Sequence, residues 1–531
     1  MRHIYSNAEL VNAWLGPADP EVAASAARII KTLANPKPSL FPKYYFPEDK
    51  ELLHLGLPTR DSPAWDALNT LLNVPYFSRV WIIQEIAVAS DFALLWGGIT
   101  ISKNEFQTFR LASLAHKLSE FDFEKGSPQL QWSTVALLYL GHYIVGEDNL
   151  FQLVYSVSTT HATDPRDKIF ALIGLAGDRS YDTVPDYNKS EGEVFADFAR
   201  AVIRTETNLD ILDYSYVENP GCPEHRPHWA PRWHSDDSSC DYHLNKYNFT
   251  ASRDIPTALG PSVSERVLCL GGLQVDLVRD MRDRTTEIQQ DFPDAVDMIT
   301  DNIKIFSRRY GSEIIRTVLL TMMAGHESSG TMINQEIRPP IDDEYLKNFI
   351  SFFLLSTIQA HMSQDGRELD LRRYFELVRL GAKAIPLPVE PCWTSPEDFE
   401  LMEQMLMVLY PHDPRVVSSD LDLVSRIDCD LMMGPRRFGE AVGASDGSRL
   451  FITETGYVGF GPRCMRPGDV VCVLFGGGTL YVIRPTAAAD EYLFLGSAYV
   501  HGLMNGEVID AWETGKRTGN QEIQERLFKL L

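Results

Sequence analysis

The sequence predicts a mixed α+β / α/β protein: an α/β N-terminal lobe, a helical middle region and a small β-barrel-like unit at the C-terminus. Three observations predict it. The stretch 74–98 carries helical spacing and then a short apolar run closed by Gly97-Gly98. Residues 290–410 read as mostly helical. From Ser448 the pattern changes to short apolar segments separated by Gly-rich turns.

The stretch 74–98 is the centre of the reading. Asn73 is suited to cap a helix, and Pro75 fits a first helical turn, where its missing N–H would be unpaired anyway. Phe77, Val80, Trp81, Gln84 and Val88 recur at steps of three and four, which predicts one helix over 77–88 with Trp81 buried. Ser78, Arg79, Gln84 and Glu85 interrupt the apolar run. Polar groups placed there need partners, because unpaired burial costs roughly 1–3 kcal/mol. Phe92 to Trp96 reads as a buried strand.

A chain of 531 residues exceeds what one hydrophobic core serves, so several domains are expected. The expected division is 1–180 for the N-terminal lobe, 181–290 for a loop-rich connector with a Trp/Pro box and strands, 291–440 for a helical variable region, and 441–531 for the β unit. The net charge of −24 argues against a nucleic-acid partner, which needs a basic face, and against anionic lipid. No window approaches the roughly 18 apolar residues of a membrane span; the best, Phe349 to Ile358, is short and holds two serines. Seven cysteines, an odd number with no Cys-x-x-Cys pair, read as reduced thiols of a cytoplasmic protein. Cys222, His225, His228, His234, Cys240 and His243 cluster, but their spacings fit no common zinc template, so no metal is expected.

Taken in order, residues 1–35 read as helical, with one element begun at Asn7 and stopped by Gly16-Pro17, and a second opened by Asp19-Pro20 and running to Ile30. Residues 36–62 read as a loop. Asn104–Glu120, Trp132–Val145 and Phe151–Ser158 read as helices, and Asp164-Pro165-Arg166-Asp167 as a turn capping a helix Lys168–Leu175. Ser190-Glu-Gly-Glu193 resembles a capping box before the helix Val194–Thr205. Trp229 and Trp233, around Pro231, are placed to pack as a clamp. Val267–Val278 reads as a strand, a glycine turn and a second strand. The stripe Met322, Met323, Phe349, Phe352, Phe353, Met362 reads as core rather than pocket. Gly476-Gly477-Gly478 lies between two strands and reads as a hairpin, not a phosphate loop.

Several of these segments resemble the fungal heterokaryon-incompatibility (HET) domain family. Phe77-Ser-Arg-Val-Trp-Ile-Ile-Gln-Glu-Ile86 is similar to its central motif. Ile4–Ala8 with Trp14-Leu15-Gly16, Thr163–Leu175 with Pro185-Asp186-Tyr187, and Arg226–Trp233 resemble flanking motifs in the same order. Gly468–Val471 and Tyr499–Glu507 resemble the C-terminal signature. The family pattern begins with further strands that have no counterpart here, so the lobe is expected to be N-terminally shortened.

The resemblance implies a remotely Toll/interleukin-receptor (TIR)-like lobe and a role in heterokaryon incompatibility and cell death. Enzymatic TIR domains cleave NAD with a helix glutamate, and their Trp-x-x-x-Glu pattern is similar to Trp81-Ile-Ile-Gln-Glu85. Glu85 is therefore the candidate catalytic residue, with Ser78 and Trp81 beside it, and NAD the candidate substrate; no cofactor is firmly implied. A carboxylate there could hold ribose hydroxyls and stabilise an oxocarbenium-like state. The other reading of Glu85 is a core hydrogen bond to Arg79 or Arg166. Asp164 or Asp167 is expected to pair with Arg79 or Arg166, tying the central helix to the 164–175 corner. Two further functional readings stand beside NAD cleavage. One is a HET-like scaffold used in fungal secondary metabolism as a cofactor-free cyclase or pericyclase, such as a Diels–Alderase, acting on a small apolar terpenoid or polyketide. The other is a non-enzymatic recognition module acting by self-association.

Overall fold

A computed structural model describes residues 2–35, 49–115, 149–158, 160–215, 227–231, 233, 244, 249–261, 264–281, 298, 301–310, 317, 321, 448–515, 517–518 and 521–531. The expected helix 132–145, the Met/Phe stripe and most of the middle region lie outside the described residues. Two compact units are formed: Met1–Val202 with Trp233–Asp236, and Ile203–Arg232 with Asp237–Leu531.

The first unit is built from helices α1 (Arg2–Ser6), α2 (Pro20–Ala34), α3 (Asp49–Leu55), α4 (Ala64–Leu72), α5 (Pro75–Ser78), α6 (Ile82–Ala87) and α7 (Lys103–Ala115), with strands β1 (Val11–Trp14), β2 (Phe92–Trp96) and β3 (Ile99–Ser102). Helices α8 (Leu150–Ser156), α9 (Asp167–Phe170) and α10 (Ile173–Ala176) follow, then α11 (Glu191–Glu206). Asp19 caps α2, its carboxylate accepting from Glu21 N and Val22 N, with Pro20 in the first turn as expected. Ala23, Ala26, Ala27, Ile30 and Leu33 bury one face of α2, which packs on α4 and α7.

The segment at Val11–Trp14 is a strand, not the helix expected from Asn7 onward. Val11 and Ala13 are buried while Asn12 and Trp14 are exposed, the two-residue alternation of a strand. β1 pairs in parallel with β2, and β2 pairs antiparallel with β3, so β2 is central. That explains why Phe92–Trp96 is almost wholly apolar. Asn73 also differs from expectation: it ends α4, and Val74 precedes α5. Within 36–62, the described part contains α3.

The second unit holds β4 (Leu268–Met281), α12 (Ile303–Tyr310), β5 (Ser448–Thr453), β6 (Val458–Pro462), β7 (Val470–Leu474), β8 (Leu480–Pro485), β9 (Glu491–Val500), α13 (Glu507–Glu513), the short pair β10 (Arg517–Thr518) and β11 (Gln521–Glu522), and β12 (Glu525–Leu530). The short strands expected after Ser448 are present as β5 to β9, and β4 and β12 join them in one seven-stranded sheet. Their order is β12-β4-β5-β6-β9-β8-β7, with added pairings β4–β7 and β12–β9. The path from β4 through β5, β6, β9, β8 and β7 thus returns to β4, which makes the sheet barrel-like.

β4 makes this return by being one continuous strand of 14 residues rather than the expected strand–turn–strand. Gly271 and Gly272 lie inside it, and a Cβ at Gly272 would collide with the backbone of Val473 and Leu474. Glycine there serves close strand approach, not a turn. β4 pairs with β12 over Leu268–Leu273, with β7 over Gly272–Leu277 and with β5 over Val278–Met281, and its register shifts between Gln274 and Asp276 and again between Val278 and Asp280. Phe451, Val471, Val473, Val482, Leu495 and Val500 are among the interior side chains.

Candidate functional site

The central motif is two short helices with a break between them, not one helix over 77–88. The break lies at Arg79, whose backbone is extended (φ −84°, ψ 131°). It is stabilised from outside: His161 N donates to Ser78 O at 2.5 Å, and Val80 N donates to His161 O at 3.0 Å. A one-residue parallel bridge therefore replaces the helical bonds lost there. Phe77, Val80, Ile82, Ile83 and Ile86 are buried on either side.

Trp81 is half-buried, where full burial was expected. Leaving the helix path at Arg79 turns its ring toward the 164–168 corner, and its Nε1 donates to Asp167 Oδ2 at 2.9 Å. The tie between the motif and this corner therefore runs through Trp81, and the expected arginine contact to Asp167 is replaced by Trp81 and by Tyr187, whose hydroxyl donates to Oδ1 at 2.6 Å. The arginine pair is Arg166 with Asp164: Nε to Oδ1 at 2.9 Å and Nη2 to Oδ2 at 2.7 Å. Hydrogen bonding to Arg166 holds the Asp164 carboxyl below its usual range. The guanidinium also donates to Tyr187 O at 2.8 Å and Lys189 O at 2.6 Å, and stacks on the Tyr187 ring.

Glu85 is half-buried in the first turn of α6. Its partners are tyrosines. Tyr76 donates to Glu85 Oε2 at 3.1 Å, and the Tyr5 hydroxyl from α1 lies near enough to feel the same carboxylate. Burial, then the charge of Glu85 and the hydrogen bond to it, raise the pKa of both tyrosines. Both hydroxyls thus remain donors. Exposed Arg79 acts on the two tyrosines in the opposite sense, through its positive charge. A tyrosine thus stands where a core hydrogen bond from Glu85 to Arg79 or Arg166 was expected, and Arg166 is bound to Asp164 instead. Ser78 is turned away from Glu85, its hydroxyl donating to Pro75 O at 2.9 Å. Glu85, Ser78 and Trp81 therefore face three different sets of partners and do not converge on one point.

Beside Glu85, Gln84 is 4% exposed and its Oε1 has no hydrogen-bond partner among the described residues. Gly174 of α10 gives its amide room, since a Cβ at that position would lie 2.8 Å from Gln84 Nε2. Tyr5, Tyr76, His161 and Lys168 were not singled out by sequence as working partners. Tyr5 stood inside the Ile4–Ala8 motif and Tyr76 just before the central one, but hydroxyl groups leave no periodic signal.

In the second unit, the Gly468–Val471 motif contains an ion pair that sequence reading missed. Asp469 is 1% exposed and accepts from Arg484 through two bonds of 2.8 Å, and Arg484 Nη2 also reaches Cys464 O at 2.7 Å. In the Tyr499–Glu507 motif, the buried Tyr499 hydroxyl meets His501 Nδ1 at 3.3 Å. The two tryptophans expected to form a clamp are both buried: Trp229 donates to Arg266 O at 3.1 Å in the second unit, and the Trp233 ring packs on Phe151 in the first. Cys269, Cys464 and Cys472 are free thiols, and burial pushes Cys464 up to about 12. No group of three metal-binding side chains is found among the described residues; Cys222, His225, His234, Cys240 and His243 lie outside them. No helix among the described residues is long and apolar enough to cross a membrane.

Comparison with known proteins places both ends of the chain. Residues 1–85 match the model of the heterokaryon incompatibility protein (HET) family, and residues 420–517 match the Het-6 beta-barrel domain. β4 and β12, which complete the strand pairing, lie outside the second match. A relative in Neurospora crassa, "Heterokaryon incompatibility protein 6, OR allele", is 23% identical over 599 residues, covering 97% of this chain and 78% of the relative. No solved structure matches. The two family matches, at opposite ends of a chain that aligns with this relative almost throughout, make it a HET-domain family protein.

Proposed function

We propose that this protein acts in heterokaryon incompatibility as a recognition module that triggers cell death, with the Glu85 cluster as the organising centre of its N-terminal unit and with NAD cleavage slow or absent. The carrying observation is the occupancy of Glu85. Tyr76 already donates to its carboxylate, the role that a ribose hydroxyl would take in an NAD-cleaving site, and the Tyr5 hydroxyl faces the same charge. A substrate diol would have to displace the Tyr76 hydroxyl and leave it without its acceptor. Ser78 and Trp81 are engaged elsewhere. The parallel β1–β2 pair and α6 that follow from the motif are in keeping with a TIR-like ancestry. A cytoplasmic setting fits three free thiols in the second unit. The cyclase reading gains no support from the described residues, because the Met/Phe stripe lies outside them.

Purified protein incubated with NAD, beside Glu85→Ala, tests this. Little nicotinamide release, equal in the two, is the expected result. Rapid release that is lost in Glu85→Ala would overturn the recognition reading and make the protein a cell-death enzyme.

A further inference from the structure

We infer that Lys168 is the positioning residue of the Glu85 cluster, acting at a distance through the backbone of His161. The inference rests on the reading that this cluster is the working part of the first unit. Lys168 is 2% exposed, and a buried ammonium must spend its donors on acceptors. It donates to Ser158 O at 2.6 Å and to Thr160 O, so two carbonyls of the segment leading to His161 are held against α9. His161 then provides both the donor to Ser78 O and the acceptor for Val80 N.

These two bonds are what interrupts the central motif. Without them Ser78 O and Val80 N would have to be satisfied along the helix, and the periodicity of 77–88 favours the continuous helix that the sequence predicts. The interruption has three consequences. Arg79 becomes exposed. The Trp81 indole reaches Asp167, the residue before Lys168. α6 starts afresh at Ile82, which brings Glu85 opposite Tyr76 of α5. Lys168 and Asp167 thus grip the same break from two sides, one through backbone and one through the indole. Lys168 touches none of Tyr5, Tyr76 or Glu85 in the contacts described, so its effect on them passes through His161.

Hydrogen exchange on the full chain, read by segment, tests this. In Lys168→Met the amides of 79–87 should exchange about tenfold faster, while β2 keeps the wild-type rate. Unchanged exchange in 79–87, or equal acceleration in β2, overturns the inference, the latter because it marks general destabilisation. Should Lys168→Met fail to fold, His161→Pro carries the test, since it removes the N–H given to Ser78 and leaves Lys168 in place. It should loosen 79–87 where His161→Ala does not; identical behaviour of the two overturns the inference. A fungal incompatibility assay separates the two levels of the reading. Local loosening with loss of the reaction supports both. Local loosening with an unimpaired reaction supports positioning and overturns the role proposed for the Glu85 cluster.

Discussion

Trp81 and Asp167, 86 residues apart in sequence, are joined by a hydrogen bond of 2.9 Å from the indole N–H to Oδ2. This contact connects the break in the central motif to the 164–168 corner, and Asp167 shares its other oxygen with Tyr187. Replacing Asp167 by Ala leaves both donors without that acceptor. The expected cost is about 1–3 kcal/mol, below that of a buried ion pair because all three groups keep some contact with solvent. Trp81→Phe should lose less, and the double variant should lose less than the sum of the two. Denaturant unfolding measures this; an Asp167→Ala midpoint equal to wild type would contradict it.

Tyr187 gives the same corner a pH dependence. Burial, then the hydrogen bond to Asp167 and its charge, push the hydroxyl up to about 12 from its ordinary 10. Below about pH 10 both folded and unfolded chains hold this proton. Between about 10 and 12 the folded chain keeps it and the unfolded chain has lost it, so the contribution to stability falls as pH rises through that window. Tyr187→Phe should remove this component and flatten the decline. Since Tyr187 is 51% exposed, solvent screening keeps the effect small. A steeper decline in the variant would contradict the assignment.

The Asp469–Arg484 pair is the opposite case, being almost wholly dry. Arg484→Met leaves a buried carboxylate with no cation and should cost roughly 3–5 kcal/mol of stability in the second unit. Replacing both residues by apolar ones should cost less than either single change. Thermal or denaturant unfolding decides, and a single variant as stable as wild type would contradict the pairing.

Gln84 carries a prediction of opposite sign. Its buried carbonyl has no described partner, so Gln84→Met, similar in length, should be neutral or should gain about 1 kcal/mol. A clear loss of stability would show that the amide has a partner in solution, such as a bound water.

How far the sequence could be read depended on which force set each element. The strands after Ser448 and the capping box at Ser190–Glu193, with Ser190 N donating to Glu193 Oε2 at 2.7 Å, follow from local pattern and were legible. So were the first turn of α2 and the hairpin at Gly476–Gly478. The elements that differed are those fixed by distant partners. Val11–Trp14 is a strand because β2 lies beside it. The central helix breaks because His161, far along the chain, offers backbone partners at Ser78 and Val80. β4 runs through two glycines because Ala258 and Phe475 crowd Gly271 and β7 approaches Gly272 too closely for a Cβ. At the candidate site the acidic residue was legible from its motif. Its tyrosine donors were not, because Tyr5 comes from another helix and no spacing rule links the two.

The most direct test of the central claim is survival of a fungal host expressing this chain, wild type against Glu85→Ala, with protein levels matched. Wild type should provoke the incompatibility reaction, and Glu85→Ala, which leaves Tyr76 without its acceptor, should not. A Glu85→Ala chain that kills as efficiently as wild type would contradict it.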